Sequence, residues 1–141
     1  MLRLSRRVEY ALLALQYLAR HHGKAVSVRE IAQAYGLSGE FLAKVLQQLA
    51  RSGIVGSHHG VYGGYFLMHH PRALTLGAII DAVEAPWTGL VECRTGEERC
   101  ALFLHCTIRH PLTVLEQRFR SILDSTTLAE LVEHPAVQPL P

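Results

Sequence analysis

The residues best suited to chemistry in this 141-residue chain are its three cysteines, Cys93, Cys100 and Cys106. They are spaced C-x6-C-x5-C and fall within fourteen positions, which chance dispersal rarely produces. An odd count argues against a disulfide framework. Soft thiolates suit zinc or an iron-sulfur cluster, 2Fe-2S or 4Fe-4S, and either centre normally needs a fourth ligand. His105 and His110 lie close in sequence, and Glu9 can approach if its helix packs against the cysteine loop of the same or a partner chain. Each has a plainer role: His110 can shape the turn before Pro111, and Glu9 can offset Arg6 or Arg7. An oxygen or imidazole ligand would leave one metal corner exchangeable, which is how nitric oxide or oxygen gains access in a sensor.

A second set of side chains suits a polyanion. A helix that lies in the DNA major groove must expose polar groups at its N-terminal end. Ser38, Gly39, Glu40, Ala43 and Lys44 do so around the apolar pairs Phe41-Leu42 and Val45-Leu46. Lys44 can reach a guanine edge or a phosphate, Glu40 can accept from a cytosine amino group, and Ser38 can bond a phosphate. The plain reading of Glu40 and Lys44 is an exposed i, i+4 ion pair. Arg3, Arg6, Arg7 and Arg29 stand near two helix starts and can grip the backbone, setting affinity and not sequence. Further on, His58, His59, Gly60 and Tyr62 fall in a glycine-rich tip that can approach DNA closely.

These residues need elements to hold them. Ser5 caps a first helix on Val8, Ala11, Leu12, Leu15 and Leu18, ended by His21-His22-Gly23. Ser27 and Glu30 form a capping box for a second helix, which turns Ile31 and Ala34 inward and stops at Gly36. After Gly36-Leu37-Ser38 a third helix runs on Phe41, Leu42, Val45, Leu46 and Leu49 to Gly53, giving a helix-turn-helix. The strands Ile54–Ser57 and Tyr65–Met68, joined by a tip over His58–Gly64, make a wing. Thr75 caps a short helix ended by Pro86, Trp87 to Cys106 is expected as loop, and a longer helix follows Pro111. Its stripe of Leu112, Leu115, Phe119, Ile122 and Leu123 packs on its own domain or on a second subunit. Thr127 and Glu130 head a last helix, and the tail from His134 is loose. The expected fold is mainly α with a small β-hairpin: a winged helix-turn-helix over 1–72, then a cysteine loop and dimerisation helix over 73–141, in one protomer.

The net charge of +2 hides an asymmetry about Arg72. Residues 1–72 hold nine Lys or Arg against three acidic residues, and 73–141 hold five against nine, so the halves carry +6 and −4. A basic front half favours a polyanion partner. Without an apolar run of eighteen residues, neither a membrane span nor a signal peptide is expected, and the protein should be cytosolic. There is no paired acid and base, phosphate loop or C-x-x-C motif to suggest an enzyme.

The order of parts, the wing sequence Gly60-Val61-Tyr62-Gly63-Gly64-Tyr65 and the three-cysteine loop together resemble the bacterial winged-helix regulators that include IscR, NsrR and RirA. The likeness runs from Leu4-Ser5 and Glu9-Tyr10-Ala11-Leu12 through Leu37-Ser38 to Thr127–Val132. It implies a homodimer with a crossing helix, two DNA-binding heads and an iron-sulfur cluster on Cys93, Cys100 and Cys106 whose state sets DNA affinity, commonly as a repressor. In the NsrR branch an acidic residue of the first helix completes the cluster, and Glu9 matches it. In the IscR branch a histidine three residues after the last cysteine serves; here that position is Arg109, with His110 one further on. The longer first cysteine interval leaves cluster type open. His59, where the wing often has arginine, weakens the expected minor-groove anchor. Nitric oxide, iron or cluster supply, and redox state all stand as signals.

Overall fold

Ser5, Ser27, Ser38 and Thr75 each hold extended backbone at the head of a helix, and each side chain accepts from the N–H three residues on. Each cap satisfies a donor that a helix start leaves unpaired, worth about 1 kcal/mol. The computed structural model describes residues 3–84, 90–91 and 100–133. The four caps open α1 (Arg6–Arg20), α2 (Val28–Tyr35), α3 (Gly39–Arg51) and α4 (Leu76–Val83). Between α3 and α4 lie β1 (Val55–His58) and β2 (Gly64–Leu67); α5 (Arg109–Ser125) and α6 (Leu128–Glu133) follow. Among the described residues no helix is long and apolar enough to cross a membrane.

One core runs through both halves of the chain. Leu15 of α1, Ile31 of α2, Leu42, Leu46 and Leu49 of α3, Ile79 of α4 and Leu128 of α6 are fully buried in a single cluster. Each such side chain contributes about 1.5–3 kcal/mol by leaving water. Backbone bonds tie the C-terminal end in: the Leu76 N–H donates to Thr126 O at 2.9 Å and the Leu128 N–H to Leu74 O at 2.8 Å. Gln16, the polar break in the apolar first helix, donates to Leu131 O at 2.7 Å.

Local competition moves several expected details. Ser27 accepts from the Glu30 N–H at 3.1 Å, but the Glu30 carboxylate does not close the capping box, because the Tyr17 hydroxyl donates to it at 3.0 Å. Thr127 and Glu130 complete theirs, at 2.8 and 3.4 Å. On α2 it is Ala32 that turns inward and Ala34 that faces solvent. The strands pair as Val55↔Leu67 through His58↔Gly64, so His58 belongs to the ladder and not to the tip. The expected loop contains a 3-10 turn, Phe103–His105. α5 starts at Arg109, two residues before Pro111, since a proline in a first turn forfeits no intrahelical bond. Trp87, Pro86 and the tail from His134 lie outside the described residues.

A charged clamp fixes α5 to α4. Arg120 donates to both Asp81 oxygens at 2.9 and 2.6 Å and to Asp124 at 3.0 Å. The guanidinium bonds hold the Asp81 carboxyl below its ordinary range, and the same bonds raise Arg120 above its own. With Asp81 depressed in the folded state, its contribution is present above the unfolded pKa of about 4 and is lost as pH falls through the folded value. Because both side chains are a third or more exposed, Arg120→Ala is expected to cost about 1 kcal/mol at neutral pH. In thermal melts that deficit should shrink below about pH 4; a deficit that persists in acid would make the clamp a packing effect.

Candidate nucleic-acid interface and cysteine segment

The third helix presents its start to solvent because Tyr10 of α1 holds it. The Ser38 backbone N–H donates to the Tyr10 hydroxyl at 3.2 Å, and the Tyr10 ring meets Phe41 edge-on at 4.9 Å. Ser38 Oγ accepts from the Phe41 N–H at 3.4 Å, which leaves its hydroxyl proton free to donate to a phosphate. Gly39, Glu40 and Lys44 are exposed, and Glu40 and Lys44 form no ion pair with each other or with any other described residue. Gln47, one turn beyond Lys44, shares the exposed face. Sequence reasoning passed over it although its spacing from Glu40 and Lys44 marks the same side of the helix.

The arginines divide. Arg3, Arg6 and Arg29 are exposed around the starts of α1 and α2. Arg7 is exposed as well, but its Nη1 donates to Val83 O at 3.3 Å, so it serves the C-terminal end of α4, where a cation is favoured.

The wing is seated on a third, one-residue strand. Val26 and Tyr65 exchange two backbone bonds of 2.8 Å, fastening β2 to the residue just before the Ser27 cap of α2. Gly64 permits this approach: a Cβ there would run into the Val26 carbonyl and stand 2.8 Å from Ser27 N. Gly64→Ala is therefore expected to cost about 1–3 kcal/mol and to loosen the wing, and an unchanged melting temperature would overturn that account. At the tip Gly60, at φ +113°, turns the chain and accepts from the Gly63 N–H at 3.0 Å. Val61 and Tyr62 are each 95% exposed there, with His59 beside them. His58 instead stacks on Phe66 at 4.7 Å, so of the two histidines only His59 belongs to the tip.

Cys100 and Cys106 are half-buried free thiols on either side of the Phe103–His105 turn, where the Phe103 N–H donates to Cys100 O at 3.1 Å. Arg109 covers the Phe103 ring at 4.0 Å. Cys93 lies outside the described residues, and among those described no three His, Cys, Asp or Glu gather as a metal set. Glu9 is exposed on α1 with a carboxylate that pairs with no described residue; His105 and His110 are exposed too.

Residues 4–134 match the family model Rrf2, described as an iron-dependent transcriptional regulator. The chain belongs to the Rrf2 family. It is 34% identical over 134 residues to the HTH-type transcriptional regulator CymR of Bacillus subtilis, covering 94% of this chain and 91% of that one. The structure of CymR, the global cysteine regulator of B. subtilis, superposes with a TM-score of 0.78 at 31% identity over 96% of this chain and 100% of the other. IscR of T. potens superposes with a TM-score of 0.73 at 28% identity, over 94% and 87%. The winged-helix architecture is thus that of the Rrf2 regulators, and this Rrf2 chain is a transcriptional regulator of the DNA-binding kind.

Proposed function

We propose that this Rrf2 protein is a cytoplasmic homodimeric repressor that binds promoter DNA through α3 and the wing, with an affinity set by an iron-sulfur cluster. The observation that carries the DNA reading is the unpaired, exposed pair Glu40 and Lys44 at the start of α3, flanked by Arg3, Arg6 and Arg29 and by a wing tip that exposes Tyr62. Leu115 and Ile122, 51% and 60% exposed and seven residues apart on one face of α5, support the dimer, because apolar side chains at that spacing gain most from a second copy of the helix.

The donor chemistry favours the cluster. Cys100 and Cys106 are unbridged and half-exposed, Cys93 supplies the third thiolate, and the unpaired carboxylate of Glu9 is the candidate fourth donor, with His110 as the alternative. When bound, the group would supply a centre whose charge and ligation respond to nitric oxide, iron supply or redox state. The chain's own contribution is to hold the Cys100 and Cys106 thiolates on either side of a short turn just ahead of α5. A thiol switch without a cluster is the second reading, favoured by the same free thiols and by the likeness to a cysteine regulator; zinc on the same cysteines is its metal-bound variant.

The test begins with selection of a binding site from random duplex DNA. The expected site is a palindrome with half-sites about 10 bp apart, bound with steep salt dependence. Failure to enrich any sequence would sink the DNA reading. In sedimentation, Leu115→Glu with Ile122→Glu is expected to halve the mass, and an unaltered dimer would move the interface elsewhere.

A further inference from the structure

A cleft of about 230 Å³ opens between the end of α1 and the hairpin face. Its apolar part is Leu18, Phe66 and Leu67, and its polar part is His21, His22, Lys24 and His58. We infer that this cleft binds a small carboxylate with an apolar body.

Two properties of the lining support that ligand class. First, an imidazole is already positioned: His58 stacks on Phe66 at 4.7 Å, so little side-chain freedom is lost when a ligand arrives. His21 has its Nδ1 proton committed to Tyr17 O at 2.8 Å and serves as a ring wall stacked on Tyr17. Second, the lining carries cationic and neutral donors and no carboxylate among the described residues. The nearby acid, Glu30, keeps the Tyr17 hydroxyl at 3.0 Å while Lys24 stands 3.8 Å away. Lys24, at the outer limit of that pair and mostly exposed, can turn to an incoming carboxylate without stripping Glu30 of its partner. The volume falls below the range of about 300–1,000 Å³ usual for drug-sized ligands, which limits the occupant to a one-ring or short-chain acid.

An occupant would bridge two parts that matter for DNA. The loop His22–Ala25 leads into Val26 and α2, and His58 and Phe66 belong to the wing, so a ligand ties the wing to the helix-turn-helix beside the Val26–Tyr65 bonds. That coupling rests on the proposed DNA reading; the binding itself does not.

The experiment is an amide NMR titration of the full chain with benzoate, using benzamide as its uncharged counterpart. Expected are shifts confined to residues 21–25, His58 and 66–67, a Kd of about 1 mM or below, and benzamide at least about tenfold weaker. Lys24→Ala and His58→Ala should each weaken benzoate about tenfold with the remaining spectrum unchanged. Equal binding of the two probes, shifts on another surface, or no shift at all overturns the site, whatever the DNA behaviour. Benzoate at saturation should alter affinity for the selected duplex by about fivefold or more. Unaltered affinity with intact benzoate binding removes the coupling and leaves the site standing.

Discussion

Cys100→Ala is expected to yield colourless protein, with iron and acid-labile sulfide falling from similar amounts in anaerobically purified wild type to near none. The physical grounds are asymmetric. A cluster on three thiolates and one weaker donor has no spare ligand, so removing a thiolate removes the centre. The fold has little stake in that side chain, because Cys100 is half-exposed ahead of the 3-10 turn and outside the buried core cluster. The variant's unfolding free energy should therefore match that of metal-free wild type to within about 0.5 kcal/mol, the usual range for surface changes. Its affinity for the selected duplex should equal that of wild type stripped of its cluster. Glu9→Ala and His110→Ala then separate the candidate fourth donors: the true one alters the visible spectrum, and the other leaves it as it was. Iron and sulfide absent from anaerobic wild type, with full regulation retained, would sink the cluster reading. Zinc without sulfide would favour the structural-metal variant, and a reversible change in DNA affinity on thiol oxidation of metal-free protein would favour the switch.

What the sequence made legible was what local rules decide. The serine and threonine caps, the apolar spacing of α1 and α3, and the glycine-rich hairpin all rest on interactions within a few residues, and each is in place. The departures come from partners distant in sequence. Glu30 left its capping box for Tyr17, thirteen residues away. Arg7, a phosphate candidate by position, meets the end of α4 seventy-six residues on. Val26 became a strand only because Gly64 lets β2 come close, and nothing in the local pattern announces a one-residue bridge. The apolar stripe of α5 was visible, but the buried Glu116 on the same helix was not: its Oε2 accepts from the Leu90 N–H at 3.4 Å, from a segment with no period of its own. At the candidate interface the exposed start of α3 followed from spacing alone. The position of His58 did not, because the ring stack with Phe66 depends on strand register.

Lys44→Ala is expected to weaken binding to the selected duplex by about ten- to a hundredfold, corresponding to about 1–3 kcal/mol for a well-made base contact. The size follows from what the residue lacks in the free protein. It has no ion pair to give up, and its neighbour Glu40 is equally unpaired, so the full interaction with DNA is gained on binding. Two kinds of contact would produce the loss, and a salt series tells them apart. If Lys44 touches a phosphate, the loss is uniform across sequences and the log–log salt slope falls by about one unit. If it reads a guanine edge, the slope changes less and discrimination relaxes at a single base pair. Glu40→Ala supplies the contrast: removing an acid beside the backbone should strengthen non-specific binding even as it relaxes selection at the base pair it faces. Unchanged affinity of Lys44→Ala at every salt concentration would take this residue off the interface. Recognition would then shift to Gln47, which shares its face, and to the wing tip at Tyr62.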